Sequence, residues 1–124
     1  MKSFRVYRCT SCGMVVPYYG EPTEICCCNE PMEEVKANMM DAALEKHVPV
    51  IQKKENEILV SVGSIPHPMS EDHLIVFIAL EEENGYQIKY LKSTETPDTN
   101  FYTTSGQVVY EYCNLHGLWK KYID

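Results

Sequence analysis

The 124-residue chain has no excess of positive charge: eleven Lys and Arg face eighteen Asp and Glu, leaving a formal charge of −7. A net anion is repelled by nucleic acid and by anionic membrane surfaces, so neither is expected as a partner. The chain also lacks any run near the ~20 apolar residues that a membrane helix needs. Its opening, MKSFRVYRCTSCG, meets charge and cysteine at once, without the apolar stretch of a signal peptide. A cytoplasmic protein is predicted, and there thiols stay reduced. Low-complexity tracts and internal repeats are missing too. With 44% apolar residues, the length suits one ordinary domain, or a domain plus a small module that needs a staple.

The segment 1–36 is short of core residues. It has few large apolar side chains, prolines at 17, 22 and 31, and two glycines, Gly13 and Gly20, that read as turn formers. So small a segment cannot bury enough surface to fold unaided, and something must cross-link it. Five of the six cysteines lie within its first 28 positions. In a reducing compartment these read as metal ligands rather than disulfides, and neighbouring cysteines such as Cys26, Cys27 and Cys28 pair with one another only under strain.

Cys9-x2-Cys12, followed by Cys27-Cys28, supplies four thiolates for one tetrahedral ion. Zinc and iron both accept such a set. The usual zinc ribbon closes with a second C-x2-C. Here the second pair is adjacent, which predicts an irregular tetrahedron that a redox iron tolerates better. Spacing leaves open whether Cys26–Cys27 or Cys27–Cys28 is the ligating pair, and whether the ion is a staple or a redox centre. Phe4–Arg8 and Met14–Tyr19 are expected to be strands around the Cys9-Thr-Ser-Cys12-Gly turn.

The predicted organisation is a module at 1–36, a linker or brief helical turn at 37–46, and a second domain at 47–124. In the last, the stretches 49–53, 57–62, 73–80, 86–91 and 107–113 are rich in Val, Ile, Leu and Tyr and bounded by turn signals at 83–85 and 96–98. Short strands so spaced predict an antiparallel sandwich or barrel.

Histidine is scarce as well: four in all, His47, His67, His73 and His116. A single strand histidine is ordinarily a packed or surface residue. These four share unusual settings. His67 lies in Ile-Pro-His-Pro-Met, where prolines stiffen the backbone. His47 precedes Val-Pro, and His73 stands at the head of an apolar strand. His116 closes Cys113-Asn-Leu-His116-Gly, a turn in which sulfur and imidazole can meet one ion. Four imidazoles and a thiolate exceed a tetrahedral zinc set by one. They leave an octahedral ion one open position, and ferrous iron suits such mixed donors.

Glu45-Lys46-His47-Val-Pro-Val-Ile, Val62-Gly-Ser-Ile-Pro-His67-Pro-Met and Glu111-Tyr-Cys113-Asn-Leu-His116-Gly-Leu-Trp119 closely resemble desulfoferrodoxin-type superoxide reductases. Cys9, Cys12 and the Cys-Cys-x-Glu-Pro-Met stretch at 27–32 are similar to the desulforedoxin-like module of the two-iron members. The resemblance covers nearly the whole chain. It implies an all-β protein, a metal-stapled β module followed by an immunoglobulin-like sandwich, assembled as a homodimer. It implies iron at two sites: Cys9, Cys12, Cys27 and Cys28 at the first, where zinc is a possible substitute. At the second, His47, His67, His73 and His116 are equatorial and Cys113 is axial. The implied reaction is one-electron reduction of superoxide to hydrogen peroxide, with rubredoxin the common donor. Lys46, beside His47, is the expected steering cation, and the family pattern makes Glu45 a sixth ligand to the oxidised iron. Leu74 departs from the pattern, since many relatives carry tyrosine there. The rivals are an electron carrier or storage protein, and a zinc-ribbon interaction module fused to a sandwich with incidental histidines.

Overall fold

The computed structural model describes residues 1–39, 47–63 and 67–124. The chain divides into two compact units, Met1–Lys36 and Ala37–Asp124. Every regular element among the described residues is a strand. The predicted helical turn or linker lies largely at 40–46, outside the described residues.

In the first unit, β1 (Ser3–Arg8) pairs antiparallel with β2 (Val15–Gly20) through the Cys9–Met14 connection. A two-residue hairpin, β3 (Cys26–Cys27) with β4 (Glu30–Pro31), follows. β5 (Glu33–Glu34) then lines the other edge of β1. Tyr7, Cys9 and Met32 form the small buried cluster, with Val16, Tyr18, Ile25 and Cys27 packed against it. Gly20 is not a turn former but the last residue of β2. A Cβ there would lie 2.7 Å from the Tyr18 hydroxyl, so the glycine serves close packing rather than a bend.

The second unit holds β6 (Pro49–Lys53), β7 (Glu57–Val62), β8 (Ile75–Glu82), β9 (Gly85–Tyr90), β10 (Asp98–Tyr102), β11 (Gly106–Cys113) and β12 (Gly117–Tyr122). One sheet runs β10-β7-β6 and the other β12-β11-β8-β9, all pairs antiparallel. Side chains alternate across a strand, so Ile58, Val60 and Val62 of β7 face inward while Ser61 stays in solvent. They meet Phe101 from their own sheet and Ile75, Ile78, Leu80, Val109 and Cys113 from the other in one core cluster. Each such aliphatic side chain stabilises the fold by roughly 1.5–3 kcal/mol relative to exposure. The predicted all-β sandwich is thus found. Asn38 adds an isolated parallel bridge to Trp119.

In the second unit two strands were not expected, and neither were β3, β4 and β5 in the first. β10 buries only Phe101 and β12 only Leu118 and Trp119. Both are edge strands, and too few apolar positions mark them in the sequence. β8 also begins at Ile75 rather than His73, because Ser70 folds back on His73: the Ser70 amide donates to the His73 carbonyl at 2.9 Å, and the His73 amide donates to Ser70 Oγ at 3.2 Å.

Candidate metal centres

The first unit brings together Cys9, Cys12, Cys27 and Cys28, whose sulfurs all lie within 4.8 Å of one another. Cys9 and Cys12 sit on a tight knuckle. The Gly13 amide donates to the Cys9 carbonyl at 2.9 Å, and Gly13 takes φ +80°, a conformation glycine adopts without Cβ strain. The second pair is delivered by the β3–β4 hairpin. Cys27 pairs with Glu30, which leaves a two-residue loop, Cys28-Asn29, with φ of 54° and 62°. Two central residues with positive φ are the mark of a type I′ turn. The chain reverses at Cys28, and so two adjacent sulfurs reach one point. Strand alternation sends Cys26 to the other face; it is exposed and stands outside the cluster.

The separations fit a metal. Cys12 and Cys27 sulfurs are 3.6 Å apart, and those of Cys27 and Cys28 3.8 Å. The edge of a tetrahedron with metal–sulfur bonds of ~2.3 Å is about 3.8 Å. Sulfurs this close cannot all ionise without a cation. The Cys12 amide, donating to Cys9 Sγ at 3.4 Å, lowers the Cys9 thiol to about 6 despite its burial. Cys27, whose thiol is engaged by Cys9, Cys12 and Cys28, is pushed up to about 12.

In the second unit the four imidazoles form a closed ring. Neighbouring ring centroids are 4.7 Å apart for His47–His67, 4.8 Å for His67–His73, 5.2 Å for His73–His116 and 4.9 Å for His116–His47. Each pair is inclined edge-on at 65–81°. His47, His67, His73 and Cys113 offer donor atoms within 4.8 Å of one another. His116 Nδ1 joins them, 3.2 Å from His47 Nε2 and 3.8 Å from Cys113 Sγ. Around an ion with bonds of ~2.1 Å, adjacent nitrogens are separated by about 3.0 Å and opposite ones by about 4.2 Å. The ring has the size of one ion's equator. Cys113, His47 and His67 are buried, whereas His73 is half-buried and His116 exposed, so the cluster meets solvent on one side.

Local structure orients each ring. His67 Nδ1 lies 2.8 Å from the Pro68 carbonyl, which assigns that nitrogen the proton and leaves Nε2 for the cluster. Cys113 ends β11 and Gly117 opens β12, with Asn114, Leu115 and His116 as a three-residue loop and Gly117 at φ +89°. Gly117 takes that left-handed φ where the loop joins β12, a conformation open to glycine, and the loop carries His116 Nδ1 to 3.8 Å from Cys113 Sγ. Asn114, for which the sequence suggests no role, brackets His73. Its Oδ1 accepts from the Leu74 amide at 3.0 Å, its Nδ2 donates to the Asp72 carbonyl at 3.0 Å, and its amide donates to the Leu74 carbonyl at 3.2 Å. Leu74 makes these contacts through its backbone alone, so the missing tyrosine costs none of them. Glu45 and Lys46 lie outside the described residues. No helix among the described residues is long and apolar enough to cross a membrane.

The desulfoferrodoxin family model matches residues 39–122. The chain is 42% identical to the desulfoferrodoxin of Syntrophotalea carbinolica over 120 residues, 95% of each chain. It is 42% identical to that of Nitratidesulfovibrio vulgaris over 94% of each. The crystal structure of the superoxide reductase from Treponema pallidum is similar with a TM-score of 0.84 and 28% identity, covering 98% of this chain and 99% of that one. A superoxide reductase from Giardia intestinalis, at TM-score 0.58 and 26% identity, covers 64% of this chain and 98% of its own. By sequence over nearly its whole length and by fold, the chain belongs to the desulfoferrodoxin family.

Proposed function

We propose that the chain is a superoxide reductase, in which superoxide, one electron and two protons give hydrogen peroxide. The observation that carries this reading is the ring of four imidazoles beside a buried thiol, open to solvent, on a chain of this family. Cys9, Cys12, Cys27 and Cys28 hold one iron, with zinc a possible substitute; His47, His67, His73, His116 and Cys113 hold the other. When bound, the second iron supplies the reducing electron and a position open to a small anion.

The protein's own groups set the conditions for that step. Neutral imidazoles add no charge, and the single thiolate of Cys113 leaves a ferrous site net positive, which favours an anionic substrate on a chain of charge −7. The Cys113 thiolate is the strongest electron donor of the set and promotes transfer toward the substrate. Lys46, next to His47 in the sequence, is the cation that would draw the anion in and supply a proton. Glu45, two residues before His47 in the sequence, would be the carboxylate available to occupy the open position. Electrons arrive from a donor protein, for which rubredoxin is the natural candidate, and the protein works as a cytoplasmic homodimer with 1–36 as the four-cysteine module, 37–46 as linker and 47–124 as the catalytic domain.

Stopped-flow mixing of the reduced, iron-loaded protein with superoxide tests the proposal. Peroxide formation without oxygen release is expected. In Lys46→Ala the reaction slows while the iron spectrum is unchanged. Oxygen release with peroxide would mean dismutation instead, and equal rates at low ionic strength would remove the steering role of Lys46.

A further inference from the structure

We propose that Trp119 is a positioning residue for the metal centre, its indole face fixing the plane of the His47 imidazole. This rests on the reading of His47 as a ligand. The two rings are stacked, with centroids 4.7 Å apart and planes 12° from parallel. His47 contacts His67 and His116 edge-on, at 65° and 74°, so Trp119 covers a face of the imidazole while the neighbouring rings meet it obliquely. Rotation of the His47 ring out of its plane would drive it into the indole.

The support is itself rigid. Trp119 lies in β12, opposite Glu111 of β11. On the other side Asn38 braces it through both neighbours: the Asn38 amide donates to the Leu118 carbonyl at 2.9 Å, and the Lys120 amide donates to the Asn38 carbonyl at 2.9 Å. His47 stands in irregular backbone, two residues ahead of β6. A ring carried by a loop is thus laid on one clamped between two strand-like partners. Second-sphere contacts of this kind orient a metal's imidazoles, and their loss typically weakens metal affinity ten- to a hundred-fold.

The stack uses only the face of the indole. Trp119 is 7% exposed, and its buried Nε1–H has no acceptor among the described residues. An unmet donor is destabilising where it is, so it does not explain the residue. Phenylalanine should therefore substitute where alanine fails.

The test compares iron-loaded wild type with Trp119→Ala, Trp119→Phe and His47→Ala by competition with a chelator, following the thiolate-to-iron band of the second centre. The bands of the four-cysteine iron serve as an internal control for protein concentration. Trp119→Ala is expected to lower apparent affinity at the second centre about tenfold or more, and Trp119→Phe to remain within the wild-type order of magnitude. Melting of the metal-free variants separates packing from positioning: the loss of stability should be larger in the loaded protein than in the metal-free one. Wild-type affinity in Trp119→Ala, an equal loss in Trp119→Phe, or equal destabilisation of loaded and metal-free protein would each overturn the proposal. Wild-type affinity in His47→Ala would overturn the ligand reading beneath it instead.

Discussion

Asn114 ties the two ends of the metal centre together. Its three hydrogen bonds reach the residues on either side of His73, while its own neighbours in the chain are Cys113 and the loop that carries His116. The side chain both accepts and donates, so neither Asp nor Ala can replace it. Asn114→Asp keeps the acceptor for the Leu74 amide and loses the donor to Asp72; Asn114→Ala loses both. The bond from the Leu74 amide is part-buried and the one to the Asp72 carbonyl exposed; each contributes roughly 1 kcal/mol, and a stranded part-buried partner costs up to about 3 kcal/mol. Stability should fall in the order wild type, Asn114→Asp, Asn114→Ala, with total losses of about 1–3 kcal/mol. Chelator resistance of the second centre should follow the same order, because His73 is released in step. Denaturant melts of loaded protein read the first and visible spectra the second. Equal behaviour of the two variants would mean that the Nδ2 donor contributes nothing.

At the scale of elements, the β3–β4 hairpin solves a problem that spacing left open. Adjacent cysteines on a strand point to opposite faces, so Cys26–Cys27 within β3 cannot both reach one ion, whereas Cys27–Cys28 can because the chain turns over at Cys28. The turn was not legible as such: Cys-Asn lacks the glycine that ordinarily announces a type I′ loop. Asn29, at φ 62°, belongs to the non-glycine residues that tolerate the left-handed region best. Asn29→Val should cost about 1–2 kcal/mol, since a β-branched residue resists that backbone, while Asn29→Gly should be neutral or slightly stabilising. The thermal midpoint of the tetra-thiolate spectral bands measures both. A valine variant as stable as wild type would remove the type I′ assignment. The same contrast explains what else could be read. β6, β7, β8, β9 and β11 announce themselves through dense or alternating apolar residues. β10 and β12 lie at sheet edges, bury little and hide among polar residues. The cluster of histidines was legible from their joint settings, whereas Asn114 and Trp119 act through geometry that only the folded sheet creates.

The whole molecule joins two units stabilised by different means. The second has a core drawn from both of its sheets, including Ile58, Val60, Ile78, Leu80 and Val109. The first, of only 36 residues, buries Phe4, Val6, Tyr7 and Met32 beside a cysteine that is itself a candidate ligand. Structural tetrahedral sites can supply on the order of 10–16 kcal/mol at neutral pH, more than the stability of most small domains. Metal removal should therefore release the first unit while the core of the second holds. Acid assists, and the sign follows from the thiols. Metal binding needs every ligand deprotonated, yet Cys27 retains its proton up to about 12 and Cys9 regains one near 6 when no cation is present. Protons thus compete with metal over the whole neutral range, and more strongly below about 6, so affinity falls as pH falls. Metal-free protein runs by a separate rule. The lowered Cys9 adds stability that grows as pH rises from about 6 to 9.0. The raised Cys27 withdraws stability from 9.0 toward 12. The expected outcome of chelation at about pH 6 is faster hydrogen exchange in β1 and β2, with protection kept in β8 and β11; at about pH 8 the same loss needs more chelator. Mass-spectrometric exchange resolves the two units in one experiment. If β1 and β2 stay protected after the metal is gone, packing alone holds the small unit, and its cysteines are free to serve chemistry instead of folding.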